Sequence, residues 1–165
     1  MRAWARPVLI AGVGSEYGGD DSAGLMAARR LRRALEATGA LYGEVRVVEE
    51  TGHLASLVER WNGIATAVII DAAVTGRAPG TIMRFEGDSL PADPACRFTS
   101  THGFGVLDAI EMAKRLGSLP QHVILYGIEA GRTGTGATMC EEVSRAIDQV
   151  VAEVVHEHRL REAAN

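Results

Sequence analysis

Val8-Leu9-Ile10-Ala11-Gly12-Val13-Gly14-Ser15-Glu16-Tyr17-Gly18-Gly19-Asp20-Asp21-Ser22-Ala23-Gly24 is the stretch from which the fold can be read. Val8 to Ile10 is a short apolar run of the kind that forms a buried strand, and Gly12 and Gly14 stop it in a tight loop. Asp21 or Ser22 then offers a helix N-cap, after which Leu25, Ala28, Leu31 and Leu35 fall on one stripe until Gly39 ends the pattern. A buried strand joined by a glycine loop to an amphipathic helix is the opening unit of a parallel α/β sheet.

Working outward, the unit repeats. Val45 to Val48 reads as a second strand, and Leu54, Leu57, Val58 and Trp61 recur at helical spacing until Asn62-Gly63. Ala67 to Ile70 is a continuous apolar run suited to a central parallel strand. Ala78-Pro79-Gly80 marks a turn before a strand over Thr81 to Phe85, and the turn is short enough to make that strand an antiparallel hairpin partner. The segment from Glu86 to Thr101, with Pro91 and Pro94, reads as a mobile surface loop. A helix with Val106, Ile110 and Ala113 inward, a strand from Val123 to Tyr126, a glycine-rich loop from Gly127 to Gly136 and a final helix complete the chain. That last helix places Val143, Ile147, Val150, Val151, Val154 and Val155 on one face. The expectation is one domain over residues 1–165: a three-layer αβα sandwich whose mainly parallel sheet has about five strands, one of them antiparallel.

Bulk composition removes several function classes. A chain of 165 residues with formal net charge -4 has no basic face for a phosphate backbone, so nucleic acid is not an expected partner. The cluster Arg29, Arg30, Arg32, Arg33 lies on a predicted helix and reads as a solvated face. Cys96 and Cys140 form no C-x-x-C, which signals neither a disulfide framework nor a thiolate zinc site and fits a reducing compartment. No stretch reaches spanning length and no signal-peptide core opens the chain, so a cytoplasmic protein without a membrane role is expected.

Ligands of open α/β sheets bind beyond the carboxyl ends of the strands. That rule gathers Glu16, Asp20, Asp21, Glu49, Glu50, Asp71 and His102 at one edge, and sends His122 to the other. The glycines at 12, 14 and 18 miss the dinucleotide spacing, no phosphate-binding G-x-x-x-x-G-K-[ST] occurs, and a phosphate would meet three carboxylates. A cation is the better guest. Asp71, carried to the edge by an apolar strand, needs a partner, and two carboxylates with an imidazole suit zinc, nickel, cobalt, iron or manganese. Plainer uses stand open to each: Asp21 as a helix cap, Asp71 as an acceptor for the following turn, His102 as a helix-start histidine. His53 has a weaker claim, His156 and His158 do not share a helix face, and Cys140 reads as a small buried residue. Neither H-E-x-x-H nor G-x-S-x-G is present.

The same residues carry a resemblance. Gly12-Val13-Gly14-Ser15 with Asp20-Asp21-Ser22-Ala23-Gly24, then Ile69-Ile70-Asp71-Ala72 running on to Ala78-Pro79-Gly80-Thr81, then Ser100-Thr101-His102, resemble in order and spacing the maturation endopeptidases of nickel-iron hydrogenases. The resemblance implies that Asp21, Asp71 and His102 are the metal-contacting and catalytic trio. It also implies that the reaction is a single cut removing the C-terminal extension of a hydrogenase large-subunit precursor after nickel insertion. On this reading nickel arrives with the substrate, and an isolated enzyme, expected as a monomer, is empty or holds an adventitious divalent ion. Segments Pro91 to Thr99 and Gly131 to Thr138 are candidates to clasp the tail. Ser15 replaces the family's usual Asn, and Met139-Cys140 its usual Leu-Ser. Two rivals are a maturation factor of the same fold that binds nickel or precursor without cutting, and a small-molecule hydrolase or phosphorylase, which the acidic first loop disfavours.

Overall fold

The computed structural model describes residues 4–39, 45–51, 54–91, 97–98 and 104–162. Strands and helices follow in the order β1 Val8–Val13, α1 Ala23–Thr38, β2 Val45–Glu50, α2 Ala55–Arg60, β3 Thr66–Val74, β4 Ile82–Glu86, β5 Arg97–Phe98, α3 Val106–Leu116, β6 His122–Glu129 and α4 Glu141–Glu162. The strands join in one sheet ordered β2-β1-β3-β6-β4, with β5 attached to the end of β3. β1 is parallel to β2 and β3, and β3 is parallel to β6.

The mainly parallel sheet with an antiparallel member is therefore present, but the expected hairpin is not. β4 pairs antiparallel with β6, and β6 separates it from β3. Burial explains the choice. β6 is buried along nearly its whole length and needs a neighbour on each side, whereas β4 alternates buried Met83 with exposed Arg84 and suits an edge. The segment expected as an irregular loop is also partly ordered: a 3-10 turn covers Gly87–Ser89, and Arg97–Phe98 pairs with Val74 and Ala73.

Strand side chains alternate between two cores. Ile10, Val68, Ile70 and Ile124 pack under α1 and α4 with Leu31, Val143, Ile147 and Val150. Leu9, Ile69 and Leu125 pack under α2 and α3 with Leu57, Val106 and Ile110. This is the three-layer sandwich read from the sequence. No helix among the described residues is long and apolar enough to cross a membrane.

Glycines set how α1 meets the sheet. A Cβ on Gly12 would lie 2.0 Å from the Gly24 carbonyl oxygen, and one on Gly24 would lie 2.1 Å from the Val13 oxygen and 2.2 Å from the Ile70 oxygen. The first turn of α1 thus rests on the backbone of β1 and β3 with no side chain between. Helix propensity alone would favour Gly24→Ala by up to about 1 kcal/mol. The colliding atoms are strand carbonyls that cannot yield without breaking the sheet, so Gly24→Ala is expected to destabilise the fold by about 1–3 kcal/mol, read as a lower urea midpoint at unchanged slope.

Candidate functional site

The chain leaves β1 toward β2 on one side and returns past it to β3 on the other, through helices on opposite faces of the sheet. The crevice between the carboxyl ends of β1 and β3 is accordingly the switch point where such sheets take ligands. Asp20 and Asp21 enter it from a 3-10 turn after β1. Asp71 enters from β3, where it lies opposite Gly127 of β6. Asp71 does not end its strand as expected: β3 continues to Val74, which leaves the carboxylate inside the sheet and fully buried.

The structure sorts the acids of this edge by what each has to do. Glu49 accepts from Arg29 Nε at 2.8 Å and Arg32 Nη1 at 3.0 Å, and Glu16 pairs with the same Arg29. Burial alone would raise the Glu49 carboxyl, but the two guanidiniums outweigh it and hold it below its ordinary value. Arg30 reaches Asp148 on α4 at 2.7 Å. The arginine cluster expected to be a solvated face is thus largely an ion-pair seam, because α1 lies between two acidic elements. Glu50, buried, forms an ion pair with Arg60, whose Nε lies 2.5 Å away, and accepts from Ser56 Oγ at 2.8 Å.

Asp20 and Glu129 organise backbone. Asp20 is fully buried and accepts the Gly131, Arg132 and Cys140 amides at 2.8, 2.6 and 2.7 Å. Burial acts to raise its carboxyl, yet the Cys140 thiol and these three amides together pull it below its ordinary value. Cys140, where the resembling family has serine, still offers a donor to this acid. Glu129 accepts the Thr75, Gly76 and Arg77 amides at 2.8, 2.8 and 3.1 Å and the Thr75 hydroxyl at 2.6 Å. Sequence reading passed over Glu129, although a carboxylate at the end of an apolar strand is the signal that singled out Asp71.

Asp71 differs from these. Both of its oxygens are buried without a hydrogen-bond partner of normal geometry among the described residues. Burial drives its carboxyl well above the ordinary range; the adjacent Ala72 amide pulls down and the negative Asp21 pushes up. Asp21 is itself buried and close enough for its charge to act on Asp71. The cap position of α1 falls to Ser22 rather than Asp21, and the amide that acts on Asp71 is that of the adjacent Ala72. Two neighbouring buried carboxylates can share a proton or receive a cation.

His102, the third residue read from the sequence, lies outside the described residues, as do His53 and Cys96. Among the described residues no cluster of three or more His, Cys, Asp and Glu side chains is placed to hold a metal. His122 begins β6 beside Thr66, at the far edge as expected. His158 is buried near Trp4, its ring 6.4 Å from the indole.

Fold and site together define a three-layer α/β protein with a pair of buried carboxylates at the switch point of its sheet. The family described as HycI, hydrogenase maturation protease, matches residues 29–157, and the chain belongs to that family. Asp71 and His102 fall within the matched span, and Asp21 precedes it. The chain is similar to the hydrogenase expression/formation protein HupD of Thiocapsa roseopersicina, 27% identical over 122 residues, 74% of this chain and 53% of that protein. It therefore matches about half the length of that relative. Among solved structures it is similar to the hydrogenase maturating endopeptidase HybD from E. coli, with TM-score 0.75, 21% identity and coverage of 94% and 93% of the two chains. It is also similar to the [NiFe] hydrogenase maturation protease HybD from Thermococcus kodakarensis, with TM-score 0.67, 27% identity and coverage of 90% and 97%.

The two buried aspartates should respond to pH with opposite sign. Asp20, lowered on folding, stabilises the protein above its unfolded value, and that contribution is lost as pH falls through its folded value. Asp20→Asn should cost roughly 2–3 kcal/mol at neutral pH by leaving amide donors poorly met, with the deficit shrinking in acid. Asp71, raised on folding, costs stability as pH climbs past the unfolded carboxyl value. Metal-free Asp71→Asn should consequently melt above the wild type at neutral pH and converge with it in acid, as followed by calorimetry across pH.

Proposed function

We propose that this chain is an endopeptidase that removes the C-terminal extension of a nickel-iron hydrogenase large-subunit precursor after nickel has been inserted. The observation that carries the reading is the Asp21 and Asp71 pair, buried at the switch point of a hydrogenase maturation protease fold. The HupD and HybD relatives bear names tied to hydrogenase formation and maturation, which supports the precursor as substrate.

Nickel is part of the substrate on this reading. Asp21 and Asp71 would supply oxygens and His102 a nitrogen, a ligand set of borderline hardness that suits nickel and leaves coordination positions with the precursor. Nickel binding would also displace the proton that burial favours on Asp71, so recognition of a loaded precursor is coupled to proton release. The protease would act as a cytoplasmic monomer, using the ion as an anchor that positions the peptide bond for attack by water.

Purified protein mixed with nickel-loaded precursor should shorten the precursor by one C-terminal peptide, visible in its mass, while nickel-free precursor stays intact. Asp21→Ala, Asp71→Ala and His102→Ala should each reduce the rate by at least about a hundredfold, within the range expected for loss of a positioning ligand. Tight binding without any mass change, on precursor that cell extract does process, would instead identify a non-catalytic maturation factor.

A further inference from the structure

Two loops meet beside the crevice and fix one another backbone to backbone. Gly18 bridges Ala137 and Gly19 bridges Thr133. The Gly136 amide donates to the Tyr17 carbonyl at 2.9 Å, and the Asp20 amide donates to the Arg132 carbonyl at 2.8 Å. The buried Asp20 carboxylate locks the pair by accepting the Gly131 and Arg132 amides. The Gly131 to Thr138 segment, a candidate tail clasp, is thereby tied to the turn that carries Asp21.

The side chains on this fixed backbone look outward. Tyr17 is 77% exposed. Arg132 is exposed, and its guanidinium makes no hydrogen bond or ion pair among the described residues. Arg29, Arg32 and Arg60, around the same edge, are each paired with Glu49 or Glu50. Isolated exposed aromatics are ordinary on protein surfaces. Here the backbone bearing Tyr17 and Arg132 is already ordered, so a partner would pay little to order it, and Tyr and Arg are the residue types that dominate binding energy at interfaces.

Charge indicates what the platform fits. The crevice holds the negative Asp21 carboxylate, which repels a second one, whereas the exposed Arg132 on the neighbouring loop attracts one. We propose that Tyr17 and Arg132 form the specificity platform for the precursor segment flanking the cut, with an apolar side chain packed on the Tyr17 ring and a carboxylate on the Arg132 guanidinium. The Asp21 and Asp71 oxygens then draw the metal inward while the Arg132 cation draws the acid outward, which orients the segment. The inference rests on the protease reading above.

The test uses the intact protein and nickel-loaded precursor, with Tyr17→Ala, Arg132→Ala and Arg132→Lys, and reads both steady-state cleavage and the precursor Kd by titration calorimetry. Tyr17→Ala and Arg132→Ala should each raise KM and Kd about tenfold, with the loss falling on KM rather than kcat, and Arg132→Lys should recover most of it. Precursors with tail acids changed to amides, or with an amidated C-terminus, distinguish a side-chain carboxylate from the terminal one: the arm that supplies the partner should abolish the difference between wild type and Arg132→Ala. Wild-type values of KM and Kd in both alanine variants would overturn the platform while leaving the protease reading intact. If the wild type binds precursor without cutting it, the protease reading fails and the Kd series alone decides the platform. No binding of precursor by the wild type would sink both.

Discussion

The first turn of α1 sits on bare backbone, and much of the site follows from that contact. Gly12 and Gly24 bring helix and strands to a separation that any Cβ would forbid, and the Ser15 amide donates to the Asp21 carbonyl at 3.0 Å to close the loop beneath. Because Gly24 rests against the carbonyl of Ile70, the turn just before it is carried to the residue just after it, which is Asp71. Glycine-rich loops after a first strand are often taken as phosphate cradles. In this chain the same freedom is used for close packing, and the charges standing over it are negative.

An edge crowded with carboxylates has to be organised, since each buried anion without a partner costs several kcal/mol. Two solutions appear side by side. Glu16, Glu49 and Glu50 are matched to arginines on α1 and α2. Asp20 and Glu129 are matched to clusters of backbone amides, and in doing so they shape the loops after β3 and β6. Among the described residues Asp71 is matched neither to an arginine nor to a cluster of amides, and only the adjacent Ala72 amide acts on it. Its placement is a local cost that the two hydrophobic cores can carry, as binding sites commonly sacrifice stability for function. A guest that binds only the folded state returns part of that stability by mass action.

Rigidity and function meet at the same point. The loops beside the crevice are held by backbone amides and the buried Asp20 carboxylate rather than by their exposed side chains, so their backbone is ordered while their surface remains available. The basic cluster on α1 shows how a charged surface run acquires structural work in context. Arg29 and Arg32 became supports for the acidic edge because β2 lies beside β1 and delivers Glu49 to them.

Periodicity by itself determined the layers: apolar runs of strand length, helical stripes between them and glycines at the breaks admit little besides a covered parallel sheet. It also placed Asp21 and Asp71 at one edge, because strand direction fixes which loops share an end. Tertiary structure alone decided the neighbour of β4, since pairing depends on which strand is buried on both faces and not on the length of the preceding turn. It alone separated Asp20 from Asp21, adjacent acids of the same type, giving one to backbone amides and leaving the other close enough for its charge to act on Asp71. The physical reason is that spacing along a chain records what local geometry allows, whereas hydrogen-bond partners and burial are set by segments distant in sequence that only the folded sheet brings together.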